Sequence, residues 1–268
     1  LMDAARDAGH EVVMATGAEM VPDLQRRGFT TWTVGPALGE AVAELTAASA
    51  VPAATHEEQL GRDVVHLFAR PSVRRALDLI PRATAWGPDI VISEITELAG
   101  REAALATGTL HVTHGFGTHV PGTLALAGVM FDHVSSELGT PNRRHAFETG
   151  LYIDPCPPGL QSPQFGDMDI WPIRPVPGRV APEDRIPPQF LELPEAPLVY
   201  VTLGTVFNDP DLVRSMLDAI QDLPISIAIT TGPGTDPAFL GRRPANVAVA
   251  SFVPQALLLP LASAVVSH

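Results

Sequence analysis

The sequence predicts an α/β protein of two units, each built on a parallel sheet. Strand and helix patterns alternate from residue 11 to residue 113, and again from Pro197 onward. Such alternation builds parallel sheets with helices packed on their faces. From Pro155 to Pro197 prolines are dense and neither pattern persists. The expected boundaries are 1–177 for the first unit, 178–196 for a linker and 197–268 for the second unit.

Leu1 to Val13 reads as the last turns of a helix, a glycine stop at Gly9, and then a strand, Glu11 to Ala15. An α/β unit normally opens with a strand before such a helix, so a further strand and loop are expected upstream of Leu1. Pro22 to Gly28 is a short helix, and Phe29 to Val34 a strand closed by Gly35-Pro36. Leu38 to Trp86 is helical with several breaks; Leu60, Val64, Leu67 and Phe68 share one face. Pro71 suits the start of the next helix, which Pro81 is expected to kink or end. Pro88-Asp-Ile-Val-Ile-Ser-Glu94 is a strand entering a loop. Glu97 to Thr107 is a helix stopped by Gly108, and Leu110 to Thr113 a further strand. Beyond Pro155, Gln161-Ser-Pro-Gln-Phe-Gly and Trp171-Pro-Ile-Arg-Pro-Val-Pro cannot continue a helix or a central strand. That passage reads as an extended crossing segment.

In the second unit Val199 to Leu203 is short, β-branched and stopped by Gly204, as a buried parallel strand should be. Asp209 before Pro210 is an N-cap and first helical position. Leu212, Val213, Met216, Leu217, Ile220 and Leu223 follow at helical spacing. Ile225 to Thr230 is the next strand, ending at Gly232-Pro233. The right-handed crossover puts loop 203–209 at the carboxyl edge of the sheet, where open α/β sheets bind ligands. Gly204 admits a close ligand, and Thr205 with nearby N–H groups suits a phosphate, although the same turn also serves as a plain connector. Val247 to Ala250 is a strand, so Phe252-Val-Pro-Gln255 also lies at a carboxyl end. Phe252 there can stack on a planar base or fill the core.

Leu-Gly-Thr at 203–205, Phe-Val-Pro-Gln at 252–255 with Leu-Leu-Pro close behind, and Val-Val-Ser-His at 265–268 resemble the donor-binding domain of GT-B glycosyltransferases. The resemblance is to the actinobacterial enzymes that attach deoxysugars to macrolide, enediyne and other antibiotic aglycones. It implies a GT-B fold of two facing Rossmann-like domains. It implies transfer of a sugar from a dTDP- or UDP-sugar to a hydroxyl of an apolar natural product, by inverting, base-assisted displacement. The implied donor-binding residues are Gly204, Thr205, Phe252, Val253, Gln255 and His268. No metal and no cofactor are implied, the donor diphosphate being held by helix N-termini, Thr205 and His268. In that family the last motif continues as a glycine pair and a Gly-Thr, so a longer chain is expected at both ends.

The family's base is a histidine in the loop after the first strand, which these residues do not include. His10 is not that residue, since it follows the glycine stop. The family's orienting acid ends the Pro-Asp-apolar-Val strand; here that position is Glu94 rather than aspartate. A carboxylate there can fix an imidazole's tautomer and support its positive charge. Capping the next helix or simply facing solvent are the other roles open to Glu94, and Glu97 is the second candidate acid. His111-Val-Thr-His-Gly-Phe-Gly-Thr-His119 carries three histidines, but no acid or cysteine nearby completes a metal site. His114, Gly115 and Phe116 instead open a glycine-rich loop at a strand end, expected to face the acceptor. Asp167-Met-Asp169 spells the Asp-x-Asp by which a different glycosyltransferase fold holds a cation; in the proline-rich passage it reads as coincidence. Two other readings stay open: a GT-B nucleotide-sugar epimerase, and a non-catalytic helper of a transferase. A nicotinamide dehydrogenase is excluded, because no Gly-x-Gly-x-x-Gly joins a strand to a helix.

Seventeen basic residues face 30 acidic ones, a net charge of −13, which disfavours nucleic acid as a partner. Hydrophobic residues make up 46%, enough for a core, yet no apolar run is long enough to span a bilayer. A single cysteine, Cys156, allows no disulfide within these residues and fits a reducing cytoplasm. A homodimer is the expected assembly.

Overall fold

The computed structural model describes residues 1–50, 53–118, 123–142, 144, 150–162, 168–176, 178–204, 209–232 and 235–267, without the side chains of 123–125. The chain divides into two compact units, Leu1–Pro175 and Val176–His268.

In the first unit β1 (Val13–Thr16) and β2 (Thr30–Thr33) pair in parallel. A second, four-stranded parallel sheet has the order β3 (Ile90–Glu94), β4 (Leu110–His114), β5 (Leu151–Asp154), β6 (Asp169–Pro172). The alternation predicted one sheet; among the described residues β1 and β2 instead form a separate two-stranded sheet. The proline-rich passage is not purely a crossing segment, since it supplies β6. That strand lies at the sheet edge, where Pro172 needs no N–H for the ladder.

Helices α1 (Met2–Asp7), α2 (Val21–Arg26), α3 (Leu38–Ser49), α4 (His56–Val64), α5 (Arg70–Trp86), α6 (Leu98–Thr107) and α7 (Thr123–Leu138) complete the first unit's long elements. A single π-helical turn, Val65–Ala69, joins α4 to α5. Of the two outcomes expected at Pro81, a kink or an end, it does not end α5, which runs on to a left-handed Gly87. The carbonyl deprived of a donor is that of Leu77, a residue 62% exposed, so water can serve it. Leu98 of α6, Phe131 and Val134 of α7, and Tyr152 of β5 are buried together in the core.

The second unit holds β7 (Leu198–Thr202), β8 (Ser226–Thr230), β9 (Val247–Ala250) and β10 (Ala264–Val266), all parallel, in the order β10-β7-β8-β9. On one face Val213 and Leu217 of the helix Pro210–Ile220 pack on Val201, Ile227 and Ile229. The Asp209 side chain caps that helix, accepting from the backbone N–H groups of Asp211 and Leu212. Asp209→Ala is expected to cost about 1 kcal/mol, read from thermal or denaturant unfolding. The other face buries Tyr200, Ala228, Ala248, Ala250, Val253 and Leu258 together with Phe190. Phe190 comes from a short helix, Pro188–Leu191, and Gln189 Nε2 donates to the Val249 carbonyl at 3.1 Å. The stretch 178–196 therefore packs into the second unit's core instead of standing as a separate linker.

Candidate active site

In the second unit the loop after β7 begins with Gly204 at φ +83°, a left-handed conformation that favours glycine. Its N–H donates to Thr202 Oγ1 at 3.2 Å. Thr205 and His268 lie outside the described residues. After β9, Phe252 is 54% exposed, so it is not a core residue. Val253 is the reverse: at 1% exposure its side chain belongs to the core, leaving only its backbone to meet a ligand. Gln255 opens the short helix Gln255–Leu258, and its Nε2 donates to the Tyr200 hydroxyl at 3.5 Å. Tyr200 in turn lies 2.8 Å from Thr230 Oγ1, which donates to Thr202 Oγ1 at 3.0 Å. A chain of hydroxyls thus joins the Gln255 loop to the Gly204 loop at one carboxyl edge. Sequence reading missed these three side chains; their only signal was a threonine closing each of two neighbouring strands.

In the first unit Glu94 closes β3, and its register partner in β4 is His114. Glu94 Oε2 accepts from the N–H and the hydroxyl of Thr96. Oε1 is buried and has no hydrogen-bond partner among the described residues. Burial pushes this carboxyl above the usual carboxylate range, with the Thr96 hydrogen bonds opposing the shift. Glu94 is not the cap of α6. Glu97 is, accepting from Ala99 N at 3.0 Å, while Ser72 Oγ donates to it at 3.1 Å and Arg75 Nη1 at 2.6 Å. Both Glu97 oxygens are thereby committed to tying α5 to α6, which removes it as the second candidate acid.

Gly115 extends β4's pairing by one bond, its N–H donating to the Ile153 carbonyl at 2.9 Å. Phe116 is 74% exposed, and His119 lies outside the described residues. The Tyr152 hydroxyl sits where a side chain on Gly115 would be. Burial, then the Asp154 and Glu94 carboxylates, push that phenol up to about 12, so it stays protonated. His111 is pushed down to about 4 by burial and then by Arg101, and its Nε2 pairs with Ser93 Oγ at 2.9 Å. It is a neutral, internally bonded imidazole. Among the described residues no group of three or more His, Cys, Asp or Glu could hold a metal. Asp169 opens β6 at the amino end, away from the carboxyl edge, and Asp167 lies outside the described residues. Asp154, unremarked in the sequence, is a buried carboxylate closing β5; Cys156 N donates to it at 2.9 Å and Gln161 Nε2 at 3.1 Å. Its signal was the Asp-Pro-Cys turn at a strand end.

The family model described as the erythromycin biosynthesis protein CIII-like N-terminal domain matches residues 3–235. The chain belongs to this family. The L-demethylnoviosyl transferase of Streptomyces niveus is 30% identical over 280 residues, covering 99% of this chain and 68% of that protein. The crystal structure of the glycosyltransferase SnogD from Streptomyces nogalater is 25% identical with a TM-score of 0.75, covering 100% of this chain and 71% of that one. The glycosyltransferase VinC in complex with dTDP is 25% identical with a TM-score of 0.62, covering 100% of this chain and 71% of that one. This CIII-like chain is a glycosyltransferase of GT-B fold, spanning about two thirds of its relatives' length. No helix among its described residues is long and apolar enough to cross a membrane.

Proposed function

We propose that this CIII-like glycosyltransferase moves a deoxysugar from a thymidine or uridine diphosphate donor to a hydroxyl of an apolar antibiotic or related aglycone, with inversion. The observation that carries the reading is that buried hydroxyls at one sheet edge link left-handed Gly204 to Gln255, three residues after exposed Phe252. The glycine lets a diphosphate approach the backbone beside a helix start, and Phe252 offers a ring face to the base. VinC's bound dTDP supports thymidine as the first donor to try. Gly204, Thr205, Phe252, Gln255, His268 and the Val253 backbone hold the donor without metal. His114, Gly115 and Phe116 face the acceptor.

Inversion needs a base for the acceptor hydroxyl and charge support for the departing diphosphate. Glu94 orients that base and supports its positive charge through Oε1, which has no partner among the described residues. A non-catalytic helper or an epimerase acting on the donor alone has no evident use for such a carboxylate beside an aglycone loop. The cytoplasm, where nucleotide-sugars are made, is the proposed site of action.

Titration calorimetry with dTDP and UDP tests the donor site, followed by turnover of dTDP-deoxysugars over a panel of polyketide acceptors. Failure of both nucleotides to bind would falsify the donor assignment. Phe252→Ala is expected to weaken dTDP binding by about 1–2 kcal/mol with little change in Tm, because the ring is exposed. Unchanged affinity removes the stacking role.

A further inference from the structure

We infer that Tyr200, Thr230 and Thr202 are positioning residues that couple recognition of the donor's base to recognition of its diphosphate. The inference rests on the donor reading above. The four bonds run Gln255 Nε2 to Tyr200 OH at 3.5 Å, Tyr200 OH to Thr230 Oγ1 at 2.8 Å, Thr230 to Thr202 Oγ1 at 3.0 Å, and Gly204 N to Thr202 Oγ1 at 3.2 Å. A hydroxyl carries one proton. Because Thr230 donates to Thr202, it must accept from Tyr200, and Tyr200 must then accept from Gln255. The direction of the whole chain is fixed by that one step. Thr202 Oγ1 receives at both sides, from Thr230 and from the Gly204 N–H, so it pins the left-handed residue that opens the diphosphate loop.

Tyr200, Thr202 and Thr230 are buried. Around Tyr200 the same sheet face is apolar: Ala228, Ala248, Ala250, Val253, Leu258 and Phe190. Phenylalanine and valine would fill the three positions with nearly the same shape and no polar atoms to satisfy. The hydroxyls lie instead in one continuous line, and its two ends are the two loops that meet the ligand. A buried chain of this kind is stiff, because breaking any link leaves its neighbours short of a partner in a low-dielectric setting. Seating of the base against Phe252 and Gln255 therefore fixes where Gly204 stands.

The test is a double-mutant cycle on dTDP affinity, with Thr230→Val cutting the middle of the chain and Gln255→Ala removing its end. Each single variant is expected to weaken dTDP by about tenfold, and the double variant by no more than the worse single, since both break one unit. Thr230→Ser, which keeps the hydroxyl, should stay within about twofold of the wild type, a rescue that distinguishes the hydrogen bond from packing. If Thr230→Val does not fold, Tyr200→Phe cuts the next link without leaving a void. Wild-type binding with unchanged affinity in these variants, or effects that multiply independently, overturns the inference alone. A wild type that binds no nucleoside diphosphate overturns the donor reading and the coupling with it.

Discussion

Glu94→Gln is expected to lower turnover about a hundredfold or more while leaving dTDP affinity within about twofold. Glutamine keeps the size and can still accept from Thr96, but it cannot supply the negative charge that the proposed role requires beside an imidazole base. The same substitution should stabilise the fold near neutral pH. Burial raises the Glu94 carboxyl above its value in the unfolded chain. Below the unfolded value both states hold the proton, and the group costs nothing. Above the folded value the native protein carries a desolvated carboxylate, and the cost is present in full. Variant-minus-wild-type Tm should therefore be larger near about pH 8 than near about pH 4. Melting curves at the two pH values and steady-state kinetics measure the two effects. A residue kept for structure loses stability when replaced; one kept for chemistry gains stability and loses rate. Undiminished kcat takes Glu94 out of the mechanism, and a Tm difference that shrinks with rising pH contradicts a buried charge.

The second unit was far more legible than the first. Its strands are β-branched runs with glycine or polar stops, and Asp209-Pro210 marks a helix start by its own hydrogen-bonding chemistry. Observed and expected strands there differ by a residue or two. In the first unit β5, Leu-Tyr-Ile-Asp, is too short to show a period and runs straight into prolines. Helix α7 is apolar almost all round through Leu126, Ala127, Val129, Met130 and Phe131, so no stripe announces it. Pro172 argued against a strand, and only the edge position reconciles it with β6. The candidate site divides on the same physical line. Loop motifs at strand ends are local, and they can be read. The difference between Glu94 and Glu97 is not local: Arg75 and Ser72, from a helix that precedes both, bind Glu97, while one Glu94 oxygen has no partner among the described residues. The hydroxyl chain is likewise a product of register, since Thr202 and Thr230 become neighbours only when β7 and β8 pair.

Gly115→Ala should be the most destabilising of the small substitutions near the site, at about 2–3 kcal/mol, a Tm loss of several degrees. Gly115 is not in the left-handed region, so the cost is steric rather than conformational. A methyl group there would stand 2.1 Å from the Tyr152 hydroxyl and 2.7 Å from the ring carbon bearing it. Tyr152 cannot retreat, because it is buried among Leu98, Phe131 and Val134. The loop must move instead, which breaks the 2.9 Å bond from Gly115 N to the Ile153 carbonyl and displaces Phe116. Tyr152→Phe in the same chain removes the nearest atom but leaves the ring carbons, so it should restore only part of the lost Tm. Were the loop free of that ring, alanine would restrict the unfolded chain and raise stability by about 0.4–1 kcal/mol. The sign of the Tm change alone decides between the two.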